Sequence, residues 1–167
     1  VAGGGPVVLL ERTLSYTVLG THTITLKISD NTNAPVTKDI IIEVIDATAP
    51  TLAPVPNQSI LWPPNHKMVG ITIEANGSDN LGGVVTLSAT VTCNEPDSGL
   101  WDGDLGTDWT EPAIDQNSGI ITLQLRAERD DSSNGRVYTI TITVSDESHN
   151  ASQCNVEIIV PHDKGKK

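Results

Sequence analysis

Hydrophobic and polar residues alternate with a period of two along most of the chain, which predicts β-strands and no helix. In 136–146, Tyr138, Ile140, Ile142 and Val144 would face one side and threonines the other. The same alternation runs over 68–75, 84–93, 120–128 and 154–160. Val, Ile and Thr make up 50 of the 167 residues, and these side chains suit a pleated sheet. We therefore predict an all-β fold, an antiparallel β-sandwich of short strands.

The segment 129–135 separates two of these predicted strands and ends in Asn134-Gly135. An Asn-Gly pair supplies the positive φ that a tight hairpin turn requires. We therefore expect the strands over 120–128 and 136–146 to pair as a hairpin.

An internal repeat indicates two related domains. The segment 22–46 matches 138–163, and both read as strand, Ser-Asp, Asn-rich turn, strand and Asp. We expect 1–46 to be the C-terminal portion of a preceding similar domain, with strands near 7–11, 14–19, 21–29 and 36–45. A stiff Pro-rich linker over 47–58, a complete sandwich over 59–161 and a tail over 162–167 would follow. A half sandwich leaves one apolar face in water, so we expect a piece of a longer chain whose missing cover is a second copy or a neighbouring domain.

Three blocks carry a resemblance to known modules: 61-LWPPNHKMV-69, 94-NEPDSGLWDGD-104 and 125-LRAERDDSSNGRVYTI-140. They resemble secreted bacterial and archaeal Ig-like modules of the polycystic-kidney-disease-domain and hyalin-repeat type, as does the closing segment 144–160. The resemblance implies an Ig-like sandwich without catalytic activity in an extracellular or cell-surface protein, a spacer or adhesion module beside neighbouring domains of the same polypeptide. The alternative is an accessory domain of a secreted peptidase or glycoside hydrolase that binds carbohydrate or presents substrate. Its outside partners would be a polysaccharide or a cell-surface protein.

The charge of the chain argues against a nucleic-acid partner. The formal net charge is −11, whereas binding to a nucleic-acid backbone needs clustered Lys and Arg. The longest apolar runs are about five residues, too short for a membrane span. No G-x-S-x-G or H-E-x-x-H pattern occurs, so we expect no enzyme activity.

An acidic segment is the first candidate site. Seven acidic residues and no Lys or Arg lie between Glu95 and Asp115. Within it, 102-DGDLGTD-108 spaces carboxylates between glycines, as hard cations require. We predict Ca²⁺ on Asp102, Asp104 and Asp108, with Glu95 and Asp97 second; the alternative is a solvated loop.

Three arginines near this segment leave two interpretations open. Arg126 and Glu128 would form an exposed ion pair on an outward strand face. Alternatively, Arg126, Arg129 and Arg136 reach the acidic segment and dock it.

A second candidate ion site lies where the two predicted domains join and consists of Asp46, Asp79 and Asp146. The favoured alternative is that Asp30, Asp79 and Asp146 are turn residues whose side chains bond their own backbone.

The remaining candidates are aromatic and sulfur side chains. Trp101 and Trp109 would contact a sugar if they lay side by side in the open; the favoured alternative is that they fold inward. Cys93 and Cys154 are the only cysteines, and both face inward by alternation. Since the resemblance implies an extracellular protein, we predict a Cys93–Cys154 disulfide, worth ~4 kcal/mol in the entropy model. The alternative is two reduced, buried thiols that act as small hydrophobic side chains.

Overall fold

The computed structural model describes residues 13–29, 32–95 and 107–163, which form nine β-strands and no helix. All strand pairs are antiparallel. The all-β prediction is therefore confirmed. The chain divides into two compact units, Val1–Asp46 and Ala47–Lys167.

The described residues of the first unit form one two-stranded sheet. β1 (Gly20–Ile28) and β2 (Val36–Val44) pair in a register that places Ile24 opposite Ile40. The predicted strand over 14–19 is wrong, because those residues have no regular structure. The predicted strand over 7–11 lies outside the described residues.

In the part of the second unit that the structure describes, seven strands form two sheets. The four-stranded sheet has the order β3-β4-β7-β6, and the three-stranded sheet has the order β5-β8-β9. Their bounds are β3 (Val55–Pro56), β4 (Met68–Glu74), β5 (Thr86–Cys93), β6 (Ala113–Asp115), β7 (Ile120–Arg126), β8 (Gly135–Ser145) and β9 (Ala151–Pro161). Part of the predicted linker joins the sheet, since β3 pairs with β4 and Thr51 bridges to Ser78.

One hydrophobic core joins the two sheets. The inward side chains of β4 and β7 pack against those of β8 and β9, which is the arrangement of a sandwich. The alternating positions predicted to face inward supply this core: Ile71, Ile73, Ile121, Leu123, Leu125, Tyr138, Ile140, Ile142, Val144, Val156, Ile158 and Val160 are all buried.

The hairpin predicted at Asn134-Gly135 is wrong. β7 pairs with β4 and β6, whereas β8 pairs with β5 and β9, so the segment 129–134 crosses from one sheet to the other. Gly135 does have a positive φ of 113°. A glycine is required at this position by close packing, because a Cβ there would lie 2.8 Å from the carbonyl oxygen of Val160.

The predicted Cys93–Cys154 disulfide is also wrong, and both cysteines are free. Cys93 pairs with Tyr138 and Cys154 with Ile142, on opposite edges of β8. Two strand spacings and four residues along the strand separate them by ~16 Å, far beyond the ~7 Å that a disulfide spans. Alternation placed both on the inward face but carried no information about which strands are neighbours.

Candidate functional site

A fully buried arginine at the start of β8 organises the charged residues of the second unit. Arg136 is only 1% exposed. Its Nε donates to Glu95 Oε2 at 3.0 Å, and its Nη1 lies 2.6 Å from Asp108 Oδ2. Its Nη2 lies 3.8 Å from Glu128 Oε1. All three carboxylates are buried as well, so one guanidinium contacts three charges away from water.

Two further basic side chains, Arg126 and His66, complete this Arg136 cluster. Arg126 Nε lies 3.4 Å from Asp108 Oδ1 and 3.9 Å from Glu128 Oε2. The Nδ1 atom of His66 lies 3.0 Å from the same Glu128 oxygen. The cluster therefore sets three carboxylates against two guanidiniums and an imidazole.

Burial and hydrogen bonding shift two ionisable groups of the cluster. Burial disfavours the charge of Arg136, but hydrogen bonds to Tyr138 and Glu95 outweigh it and raise the pKa of Arg136. Burial raises the pKa of the Tyr138 hydroxyl far above its usual range, although the neighbouring Arg136 opposes the shift. That hydroxyl donates to the Arg126 carbonyl oxygen at 2.9 Å and accepts from Arg136 Nη1 at 3.1 Å. Both groups therefore keep their protons across the physiological range.

Hydrogen bonds of the backbone and of nearby side chains hold the three carboxylates and their segments in place. The Glu128 N–H donates to the Arg126 carbonyl oxygen at 2.9 Å, a tight turn that breaks the alternation after β7. Glu95 is fixed by the Asp130 N–H at 2.9 Å and by the Ser133 hydroxyl. The Asp108 carbonyl oxygen accepts from the Arg126 N–H at 2.8 Å.

The predicted exposed pair of Arg126 and Glu128 is therefore wrong, because Glu128 is only 2% exposed. For Arg126 and Arg136 the other interpretation is confirmed, since both contact Asp108 in the acidic segment. Arg129 instead pairs with Asp131 at 2.6 Å. The buried role of Arg136 had a signal in the sequence, since it is in phase with Tyr138 and Ile140 on the inward face of β8.

The predicted calcium ligands of the acidic segment fall into two groups. Asp97, Asp102 and Asp104 lie outside the described residues, as does Trp101. Glu95 and Asp108 are described, and each faces the Arg136 guanidinium. They are held by a protein cation at the two ends of the undescribed segment 96–106.

Trp109 lies partly buried at the edge of the core. Its ring meets that of Tyr138 edge to face, with centroids 6.3 Å apart. For this tryptophan the inward alternative is confirmed.

A second group of carboxylates lies in the turns after β4 and β8. Oxygens of Asp79 and Asp146 are within 4.8 Å of each other. Asp79 Oδ2 accepts from the Leu81 N–H at 2.8 Å, and Asp146 accepts from the backbone N–H and the side chain of Asn150. Both are thus turn residues, as the favoured alternative predicted, whereas Asp30 lies outside the described residues.

The second carboxylate oxygen of Asp79 is not explained by the turn. Asp79 Oδ1 is buried and has no hydrogen-bond partner among the residues that the structure describes. A turn residue needs only one carboxylate oxygen, so turn formation leaves this oxygen unexplained. The involvement of Asp46, the last residue of the first unit, stays a prediction.

A cleft of about 540 Å³ opens between the turns beside β4, β5 and β7. Gln116 lines it, but its side-chain amide pairs with the backbone N–H and carbonyl of Leu87, both at 2.8 Å. The described lining includes no aromatic side chain on which a sugar ring would stack.

Searches of protein-family models and of curated proteins found no match to this chain. Among the described residues, no helix is long and apolar enough to span a bilayer.

Proposed function

We propose that this chain is a non-catalytic Ig-like module of a secreted or cell-surface multidomain protein, acting as a calcium-stabilised spacer or adhesion domain. The observation that carries the calcium part of the proposal is Asp79 Oδ1, which is buried beside the carboxylate of Asp146 without a hydrogen-bond partner among the described residues.

A cation accounts for this oxygen better than a missing donor does. A buried carboxylate oxygen without a partner costs free energy, and a second carboxylate within 4.8 Å adds repulsion. A bound cation removes both costs. Ca²⁺ takes six to eight oxygen ligands, and carboxylates in turns are among those it prefers. Backbone carbonyls and water would complete the coordination.

The position of these turns suits a spacer. The segment that enters the second unit is held beside them, since Thr51 exchanges backbone hydrogen bonds with Ser78 at 2.8 and 3.1 Å. The Ser152 hydroxyl donates to the Pro50 carbonyl oxygen at 2.5 Å. A cation at Asp79 and Asp146 would brace the turns that anchor this segment and so stiffen the module where it begins.

The Arg136 cluster supports a structural rather than a catalytic role. Its carboxylates and guanidiniums face one another in the interior, and their interactions are with the protein itself. A catalytic acid or base instead has to reach a substrate atom.

The test is thermal unfolding in millimolar Ca²⁺ and in chelator. A ligand that binds only the native state raises its stability by ~2.7 kcal/mol at a hundred times its dissociation constant. We expect the wild-type Tm to be higher by several degrees in Ca²⁺, and Asp79→Asn to remove this difference. The matched control is Asp115→Asn, another turn aspartate with its own local hydrogen bonds, which should keep the response.

Asp102→Ala with Asp104→Ala distinguishes the two predicted calcium sites. If the response disappears in this variant but survives in Asp79→Asn, the acidic segment is the site and our assignment is wrong. If the wild type shows no response to Ca²⁺, the calcium part of the proposal fails.

A further inference from the structure

β5 is an edge strand of the three-stranded sheet, and its free side lacks the features that usually protect an edge. The Asn94 N–H donates to the Val137 carbonyl oxygen at 3.2 Å, so the even-numbered residues of this strand pair with β8. In an antiparallel ladder, the alternate residues direct their N–H and C=O groups away from the partner strand. The residues with backbone groups on the free side are Leu87, Ala89, Val91 and Cys93. β5 contains no charged residue, proline or bulge, any of which would discourage a further strand from pairing.

One position on this free side is already filled, and the group that fills it indicates what the edge binds. The side-chain amide of Gln116 accepts from the Leu87 N–H and donates to the Leu87 carbonyl oxygen, both at 2.8 Å. An amide side chain offers the same carbonyl oxygen and N–H as a peptide group. Ala89 and Val91 come next, and neither has a hydrogen-bond partner on the free side among the described residues. The complementary ligand for these two positions is therefore another extended backbone.

The hydrophobic core is open along the same edge. On β9, at the opposite edge of this sheet, three inward side chains are buried: Val156, Ile158 and Val160. Between β5 and the facing segment 109–114, five apolar side chains are only partly buried, and we call them the β5 slot: Ala89, Val91, Cys93, Trp109 and Ile114. The edge therefore offers partly exposed apolar side chains together with free backbone groups.

The strand β6 and its flanking residues form the second wall of the β5 slot. At one end of this wall, Gln116 bonds to Leu87. At the other end, Trp109 contacts Tyr138, the β8 partner of Cys93. A four-stranded sheet here faces a three-stranded sheet, so a strand added to β5 would lie over β6. Its backbone would pair with β5, and every second side chain would enter the β5 slot.

The charge around the β5 slot distinguishes between possible occupants. Exposed acidic residues flank it, with Glu111 and Asp115 beside the second wall and Glu74 in the cleft next to Gln116. Neither β5 nor the segment 107–116 contains a Lys or an Arg. Because the chain also carries a net charge of −11, this surrounding favours a segment with basic residues and disfavours a second copy of the chain.

We infer that the β5 slot binds an extended segment of a partner protein by strand addition, and that this segment has alternating apolar side chains and Lys or Arg at its ends. Backbone hydrogen bonds to Ala89 and Val91 hold the segment, and its apolar side chains cover the open side of the core. The basic ends lie near the acidic residues that flank the slot. This interaction involves neither Asp79 nor Asp146, so it does not depend on the proposed calcium site.

Amide hydrogen exchange of the full chain, followed by NMR, tests this inference with the capped synthetic peptide KVTVTVK as the probe. At about 1 mM peptide, we expect exchange of the Ala89 and Val91 amides to slow at least several-fold. The amides of Ser88 and Thr90 already pair with β8 and should change little. The peptide KVTPTVK lacks a central backbone donor, and DVTVTVD reverses the charge of the ends, so neither should protect these amides.

A pair of variants then locates the binding site. Val91→Glu places a charge in the β5 slot and should abolish protection by KVTVTVK. The matched control is Thr90→Glu, which adds the same charge to the exposed outer face of the same strand and should leave the protection unchanged. Neither glutamate repels a basic peptide. Circular dichroism checks that both variants fold, and the exchange measurement on the wild type stands even if Val91→Glu does not.

Several outcomes would overturn the inference. One is that KVTVTVK leaves the Ala89 and Val91 amides unprotected, and another is that KVTPTVK protects them equally. Loss of protection in Thr90→Glu as large as in Val91→Glu would place the binding site elsewhere. If dilution of the free protein speeds exchange of these amides, a second copy occupies the β5 slot. If the peptide binds only after 96–106 is replaced by a Gly-Ser linker, that segment is the occupant instead.

Discussion

Replacing Arg136 by Met tests how much the Arg136 cluster contributes to stability. Met keeps the length of the side chain but removes the charge. The three buried carboxylates would then have a single guanidinium nearby, that of Arg126. Its Nε lies 3.4 Å from Asp108 Oδ1 and 3.9 Å from Glu128 Oε2. Breaking a buried ion pair by removing one partner costs ~3–5 kcal/mol, because an uncompensated charge remains. That is about a fifth or more of a typical total of ~5–15 kcal/mol.

Urea unfolding followed by tryptophan fluorescence measures this loss in the second unit, which contains all three Trp residues. We expect Arg136→Met to lower the free energy of unfolding by ~3–5 kcal/mol and the Tm by roughly 10–20 °C. The comparison variant is Arg129→Met. The Arg129 side chain is only 13% exposed, but its partner Asp131 is 98% exposed, so this substitution leaves Asp131 in water and the lost ion pair should cost only ~0–1 kcal/mol.

A double variant separates charge from packing. Asp108→Asn alone should destabilise, but in the Arg136→Met background it removes one of the stranded charges. We therefore expect a coupling energy of ~1–3 kcal/mol between the two substitutions. Equal losses in Arg136→Met and Arg129→Met, or strict additivity in the double variant, would refute the argument that buried charge balance sets the cost.

Three shorter predictions follow from the same structure. Thiol titration of the folded protein should find Cys93 and Cys154 both free, and reductant should leave the Tm unchanged; because burial raises the pKa of the Cys93 thiol, its alkylation should be slow near pH 8. Although burial acts to raise it, hydrogen bonds from Asn150 lower the pKa of Asp146, so its stabilising effect is present at neutral pH and lost as the pH falls below about 4. Carboxyl NMR titration should show this, and Asn150→Ala should return the Asp146 pKa toward its usual value. Gly135→Ala should cost ~1–3 kcal/mol in urea unfolding, because its Cβ would meet a β9 carbonyl oxygen; a neutral effect would contradict the close approach.

The long strands could be predicted from the sequence, whereas the short β3 and β6 were not predicted and the strand expected over 14–19 does not form. The alternation over 120–128 predicts β7 to within two residues at its C-terminal end, and 136–146 predicts β8 to within one residue at each end. The positions predicted to face inward on these two strands are also the buried ones: Ile121, Leu123 and Leu125 on β7, and Tyr138, Ile140, Ile142 and Val144 on β8. Period-two patterning is a local property, because each residue's side is set by the pleat alone.

The candidate site was less predictable. Glu95 and Asp108 look like calcium ligands in a segment that lacks any basic residue, but their partner is Arg136, 28 residues beyond Asp108. Likewise, Asp79 reads as an ordinary turn residue, and only the folded chain shows that its Oδ1 is buried without a donor.

By itself, the sequence determined the long strands, their inward faces and the repeat that relates the two hairpins, because all three follow from local spacing. Only the tertiary structure decided which strands are neighbours, and therefore that 129–134 crosses between sheets and that Cys93 and Cys154 flank β8 too far apart to bond. It also decided which charges meet in the interior. Strand order and charge pairing depend on contacts between residues distant along the chain, where the free energy of burying the core outweighs local preference.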